Sequence, residues 1–320
     1  MKLGIVGLGW WGQKLVHSIY GKNEHITFTH AVTKEPQGVE KFALDHQLKI
    51  STEMSDLLQD PDIEAVLLAT PHSLHVEQII ACAKAGKPVF CEKPLAMNVD
   101  GAKRAIDACV QANVVLALGT NKRFWPCMRE LNKIIDSGVI GKLLHIEGHY
   151  SNENTGRHFS QWRTHSYEAP AAGLTGAGLH VIDALVHFAG PVKNVQAQVL
   201  STRPQPNPLD TVTAMFEFES GISGTMATIR STPFYWRIHV FGEQGSAEAL
   251  SENELVVRLK GQAPLKTTFD NVDTLLLEIE EFVAAVEGTK SFHVSYSEML
   301  ATVDAFERIV KCVEKKSMKD

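Results

Sequence analysis

Three groups of residues in this chain have the types and spacing to do chemistry. The first is Gly7-Leu8-Gly9-Trp10-Trp11-Gly12, a GxGxxG run between a short apolar strand pattern and a helical one. The first glycine permits a tight turn, and the second lets backbone approach a pyrophosphate. The third lets helix pack closely on strand, so that the helix N-terminal amides meet the phosphate charge. That arrangement predicts a dinucleotide site. The second group is Glu92-Lys93-Pro94, at the C-terminal end of an apolar strand pattern, the edge where doubly wound folds place ligands. A lysine partly desolvated there shifts toward neutrality and can give a proton to a carbonyl or take one from an alcohol. The third is His180 and Asp183, three apart and so on one helical face. The imidazole suits a proton relay, and the carboxylate suits a hydrogen bond to a substrate hydroxyl.

The elements that must position these groups fall into two series. Apolar runs at 2–6, 27–32, 65–69, 88–91 and 114–118 read as strands. Between them lie apolar residues at helical spacing, such as Val76, Ile79, Ile80 and Ala83, or Ala102, Ala105, Ile106 and Cys109. Asn98 is a predicted N-cap, and Gly86 stands at a predicted helix end. Repeated βα units of this kind imply an α/β fold with a parallel, doubly wound sheet. Past Asn121 the pattern changes to a helix over 127–137 and then strands at 143–151, 192–199, 211–219, 222–229, 235–241 and 254–260. Val212, Ala214, Phe216 and Phe218 alternate with mostly polar residues, and Ser220-Gly221 makes a turn, as in an antiparallel sheet with one face on a core. Leu276, Ile279, Phe282, Val283 and Val286 line one closing helix, and a capping box from Ser295 to Glu298 opens the last. The expected domains are 1–121, binding the dinucleotide, and 122–320, binding the substrate.

The end of the second strand bears on which dinucleotide is bound. An acidic residue there would hold a ribose 2′-hydroxyl and repel a 2′-phosphate; the chain has Thr33 and Lys34 before Glu35, which favours NADP over NAD. Trp10 and Trp11 are expected to pack around the first helix or near the phosphates. His72 and His75 have no Cys or carboxylate cluster beside them, so no metal is expected. His145 and His149, on a strand pattern, are expected to face solvent, and 201–209, with three prolines, to form a surface loop.

Composition narrows the class. The chain has 320 residues, 44% hydrophobic and 21% charged, which excludes a disordered chain and suggests two domains. A net charge of −6 argues against a nucleic-acid partner. No apolar run approaches the roughly 20 residues that cross a bilayer. Five widely spaced cysteines without a CxxC pair fit buried thiols in a reducing compartment. A soluble cytoplasmic enzyme is the expectation.

Beyond these motifs, Ala69-Thr70-Pro71, His75, 85–88 (AGKP), Glu92-Lys93-Pro94, Arg123-Phe124, Trp162-Arg163 and 178–183 (GLHVID) follow in a specific order. In that order, along essentially the whole chain, the sequence resembles the glucose–fructose oxidoreductase, inositol dehydrogenase and MocA family (Gfo/Idh/MocA). The resemblance implies an N-terminal Rossmann domain and a C-terminal α+β domain with a large, mostly antiparallel open sheet. It also implies hydride transfer between a nicotinamide and a carbon bearing a hydroxyl or carbonyl, in a sugar, polyol or related small molecule. Many members are dimers or tetramers through that sheet. The family gives Lys93 a catalytic role, shared here with His180, and puts Trp162 and Arg163 near the nicotinamide. Gly7, Gly9 and Gly12 would hold the pyrophosphate, and Thr33 and Lys34 would face the adenosine ribose. Thr70, Pro71, His75, Glu92 and Lys93 would border the nicotinamide, while Asp183, Asn121, Arg123 and Arg163 would line the substrate site. Many competent members carry Asp four residues before the histidine, where this chain has Gly176. Two alternatives stand beside a dehydrogenase: an enzyme on the same scaffold that uses nicotinamide transiently, in elimination or glycoside cleavage, and a non-catalytic regulator.

Overall fold

A computed structural model describes residues 1–152, 161–200 and 211–317. The proline-containing loop expected at 201–209, and part of the segment after Asn152, lie outside the described residues. The chain forms two compact units by internal contact. One comprises Met1–Gly119 with Asp273–Met299, the other Thr120–Val272 with Leu300–Asp320.

The first unit is built on β1 (Lys2–Val6), β2 (Thr27–Val32), β3 (Lys49–Ser51), β4 (Ala65–Leu68), β5 (Val89–Glu92) and β6 (Leu116–Gly119). They form one sheet in the order β3-β2-β1-β4-β5-β6, parallel throughout. The order reverses at β1, next to β4, which makes their C-terminal ends the switch point where doubly wound sheets open a ligand crevice. The helices of this unit are α1 (Trp10–Ile19), α2 (Glu40–Asp45), α3 (Met54–Leu58), α4 (His75–Lys84) and α5 (Val99–Gln111). Strands β4, β5 and β6 are buried at every residue, as their continuous apolar sequence requires of strands covered on both faces. Asn98 caps α5 as predicted, accepting from the Gly101 amide at 2.8 Å, and Gly86 adopts φ +68° just past α4.

The three-residue edge strand β3 was not among the expected strands. Neither was the location of the helix near the C-terminus. The segment opening with Asp273 packs within the first unit, where Ile279, Phe282 and Val283 join Leu3, Ile5, Leu15 and Phe90 in one core. Phe282 meets Phe90 edge to face at 5.8 Å. Asp273 caps this helix through the Leu276 amide and pairs with Lys22 at 2.7 Å.

The second unit contains α6 (Pro126–Asp136), α7 (Gly178–Ala189) and strands β7 (Leu143–Ser151), β8 (Val192–Leu200), β9 (Thr211–Phe218), β10 (Ser223–Ile229), β11 (Tyr235–Gly242), β12 (Gly245–Leu250), β13 (Glu254–Leu259) and β14 (Leu265–Thr268). The eight strands run in the order β14-β13-β12-β11-β7-β10-β9-β8, antiparallel except for β7 beside β10. The expected alternation holds along β9: Val212, Ala214, Phe216 and Phe218 are buried. The inward face packs on α7 so closely that a Cβ on Gly148 would lie 2.3 Å from Val181. Strands β12 and β14 were missed: GSAEAL lacks the β-branched and aromatic residues that mark strands, and LKTT is only four residues long. Two helices follow, α8 (Thr274–Val286), whose packing is described above, and α9 (Tyr296–Ser317). The capping box before α9 closes as predicted: Glu298 accepts from the Ser295 amide at 3.0 Å, and Ser295 Oγ from the Glu298 amide at 3.3 Å.

Candidate active site

In the first unit, the glycine turn is set by close backbone packing. Gly7 adopts φ +97°, and a Cβ there would stand 2.5 Å from the Ala69 carbonyl oxygen. A Cβ on Gly12 would stand 2.0 Å from the Gly7 oxygen, so only glycine lets α1 pack this close to β1. Gly9 differs, because nothing lies within 4 Å of a Cβ built on it. Its open side is where an anionic group could approach the start of α1, which has no side-chain cap and no acidic residue in its first turn. The Trp11 indole N–H is buried with no acceptor among the described residues. Trp10 is half exposed, and the Lys14 ammonium sits 4.2 Å from its ring centre, adding positive charge beside the turn. These features fit a dinucleotide phosphate.

At the end of β2, the Thr33 hydroxyl accepts from the Glu35 amide at 3.3 Å. Lys34 pairs with Glu53 at 2.8 Å, both side chains well exposed. No spacing or motif marks Glu53, which comes from the loop after β3.

Past β4, the Thr70 hydroxyl meets Gln78 at 2.5 Å. His75 is fully buried, with Nδ1 2.7 Å from the Pro94 carbonyl oxygen and Nε2 3.1 Å from that of Thr70. A neutral ring can donate through only one nitrogen, and the shorter contact favours Pro94. His75 thus ties the Pro71 turn to the Glu92-Lys93-Pro94 turn that follows β5. Glu92 is buried opposite Gly119, where a Cβ would come within 2.9 Å of its carboxylate. Lys93 is half-buried, in the partly desolvated setting expected from its place on the strand edge.

In the second unit, a 3₁₀ turn at Asn121–Phe124 precedes α6. Arg123 forms a fork on Asp183, Nε to Oδ2 at 2.8 Å and Nη2 to Oδ1 at 2.7 Å, with both side chains buried. Its Nη1 lies 3.1 Å from His187 Nδ1, and His187 Nε2 lies 3.0 Å from Asn132 Oδ1. A guanidinium only donates, so His187 accepts at Nδ1 and donates from Nε2. Two residues expected to line the substrate site are therefore bound to each other, and the pair anchors α7 against the 3₁₀ turn. His180, one turn earlier on α7, stands edge-on to Tyr150 with ring centres 6.1 Å apart. Arg163 stacks on Trp162 at 4.3 Å. His149, expected to face solvent, is half-buried on the outer sheet face, bonded to Ser151 at 2.6 Å and pressed against Tyr235. Burial pushes its pKa down, with Arg237 adding to the effect.

Sequence reasoning missed Lys122, Tyr150, Asn152, Arg230 and Trp236. The Lys122 ammonium lies over Trp125 at 3.8 Å, Tyr150 at 4.9 Å and Trp236 at 5.7 Å. Strand alternation along β7 could have flagged Tyr150, and the same alternation carried one residue past β10 could have flagged Arg230.

Residues 1–120 match the family described as "Oxidoreductase family, NAD-binding Rossmann fold", and residues 128–248 match the "GFO/IDH/MocA C-terminal domain". The chain belongs to the Gfo/Idh/MocA oxidoreductase family. It is similar to myo-inositol 2-dehydrogenase of Thermotoga maritima, 28% identical over 81% of this chain and 78% of the relative. It is also similar to 2,7-anhydro-N-acetylneuraminate hydratase of Escherichia coli, 25% identical over 81% of this chain and 70% of the relative. Two further curated relatives, 32% and 34% identical, are matched over only 39% and 44% of their own length. Among solved structures, an oxidoreductase from Desulfitobacterium hafniense superposes with a TM-score of 0.87 at 25% identity, covering 98% of this chain and 96% of that one. Within the Gfo/Idh/MocA fold, then, the glycine turn and the Lys93 turn lie in the NAD-binding unit, and His180 with the Arg123–Asp183 pair in the C-terminal unit.

Proposed function

We propose that this Gfo/Idh/MocA protein is an NAD(P)-dependent dehydrogenase that interconverts a hydroxyl and a carbonyl on a sugar, polyol or related small molecule. The observation that carries the reading is the occurrence on one parallel sheet of a turn that only glycine fits and of Lys93 on a braced strand end. The bound nicotinamide would supply the hydride chemistry. Gly7, Gly9, Gly12 and the first turn of α1, with Trp10 and Trp11, would hold its pyrophosphate. Thr70, Pro71 and Glu92 would border the ring, as would Trp162 and Arg163.

Lys93 takes the proton from the alcohol oxygen, or returns it to the carbonyl in the reverse direction. His75 acts on that step through Lys93: its bond to Pro94 fixes the turn that carries the amine. His180 bonds the substrate hydroxyl and passes its proton on. Arg123 and Asp183 position α7 and therefore His180, and Asn121 opens the same turn. Gly176 offers no side chain for the relay.

NADP(H) is the preferred cofactor in this reading, through Thr33 and Lys34. Glu53 restrains that preference, but an exposed ion pair is worth only about 0–1 kcal/mol, so a 2′-phosphate can draw Lys34 away. The outer face of the C-terminal sheet, with Met215 and Tyr235 exposed, is assigned to a second copy of the chain.

The hydratase relative favours one second reading, in which the substrate is oxidised only transiently. Absorbance separates the two. A dehydrogenase accumulates reduced nicotinamide with a sugar or inositol, whereas a transient user turns over substrate with no net change. Fluorescence titration with NADPH and NADH tests the cofactor assignment, which tighter NADH binding would overturn.

A further inference from the structure

Alternation along the C-terminal sheet places Thr228, Tyr150 and Trp236 side by side on its inward face: Tyr150 pairs with Thr228 on one side and Trp236 on the other. Arg230, two residues past Thr228, continues the inward set just beyond the end of β10 and is 3% exposed. The Ile229 carbonyl accepts from the Asn152 amide at 3.2 Å, and the Asn152 side chain donates to the Tyr150 hydroxyl at 2.9 Å. The phenol oxygen is thereby held beside the strand end that carries Arg230. The Lys122 ammonium lies 4.9 Å from the Tyr150 ring, and His180 flanks the same ring.

Burial, with the Arg163 charge adding to it and Tyr150 acting the other way, pushes the Arg230 guanidinium down to about 10. Tyr150 itself is pushed up by burial, so its hydroxyl keeps its proton and remains a donor at neutral pH. A guanidinium nearly out of water that feels a second guanidinium sits where added negative charge is favourable.

We propose that Arg230 and Arg163, with the Tyr150 hydroxyl, form a binding site for an anionic group on the substrate, a carboxylate or a phosphate ester carried by a sugar. The inference rests on the dehydrogenase reading and narrows its substrate to acidic sugars. Guanidinium forks match both groups in geometry. His180, on the other side of Tyr150, would meet a hydroxyl of the same molecule.

Calorimetric titration of the NADH-loaded protein with D-glucuronate, D-glucose 6-phosphate and D-glucose tests this. At least one acid should bind about 10- to 100-fold more tightly than glucose, the range expected for charge-assisted hydrogen bonds. Tighter binding of glucuronate identifies a carboxylate site, and tighter binding of the phosphate ester a phosphate site. Arg230→Gln should erase the difference, and Arg230→Lys should restore part of it. In the wild type, inorganic phosphate should compete with the acids, a result that does not depend on a variant folding. Equal binding of the three sugars, or no binding of either acid, overturns the site while NADH binding leaves the oxidoreductase reading in place. Failure to bind NADPH as well as NADH would overturn both.

Discussion

The two units of the chain are specified in opposite ways. In the NAD-binding unit the turn is made of backbone: Gly7 and Gly12 are required because the Ala69 and Gly7 carbonyls stand where side chains would go. In the C-terminal unit the corresponding work falls to side chains brought together from distant segments, such as Arg123 and Asp183, 60 residues apart. A generic cofactor suits the first arrangement, since hydrogen bonds from amides recognise phosphate whatever else is attached. A particular substrate needs the second, where exchanging a few side chains changes specificity without disturbing the sheet.

The contrast can be tested by breaking each half. Gly12→Ala has the largest expected effect: backbone must move to admit the Cβ, and NAD(P)H affinity should fall by more than about 100-fold in a fluorescence titration. Arg123→Ala should act on stability, because it leaves the Asp183 carboxylate buried without its fork. Denaturant melting should show a loss of about 3–5 kcal/mol, with affinity for NADH retained. His75→Asn should lower kcat about 10- to 100-fold by letting the Lys93 turn shift, with little change in KM and a displaced pH–rate profile. A role confined to stability would leave that profile where it was. Glu53→Gln should give the smallest change, a few-fold gain for NADPH over NADH, in line with an exposed pair worth under about 1 kcal/mol. Equal effects of Gly12→Ala and Arg123→Ala on cofactor affinity would erase the proposed division of labour.

How much of this was legible in the sequence follows the same divide. The glycine turn, the Asn98 cap and the Ser295–Glu298 box are local, so spacing alone reveals them. Lys93 and His180 are proposed for the same reason, each lying within a short motif. The His75 brace was only half legible: the residue stood out, but its partner is the carbonyl of Pro94, 19 residues on, and no residue type advertises a carbonyl. Asp183 reads as a substrate ligand from its motif, and spacing gives no sign of its fork with Arg123, 60 residues away. Glu53 escaped because it lies after β3, a three-residue strand too short to show alternation. Arg230 escaped because it falls just past a strand end, where sequence alone does not tell whether the inward alternation continues.

The most direct test of the central claim is a pair of measurements on wild type and Lys93→Ala: NADPH and NADH binding, and absorbance-monitored oxidation across sugars, sugar acids and inositols. The account predicts that reduced nicotinamide accumulates with at least one substrate for the wild type. It also predicts that Lys93→Ala still binds cofactor while kcat falls about 10²- to 10⁴-fold, as expected for a lost acid–base group. A Lys93→Ala kcat near the wild-type value would contradict it.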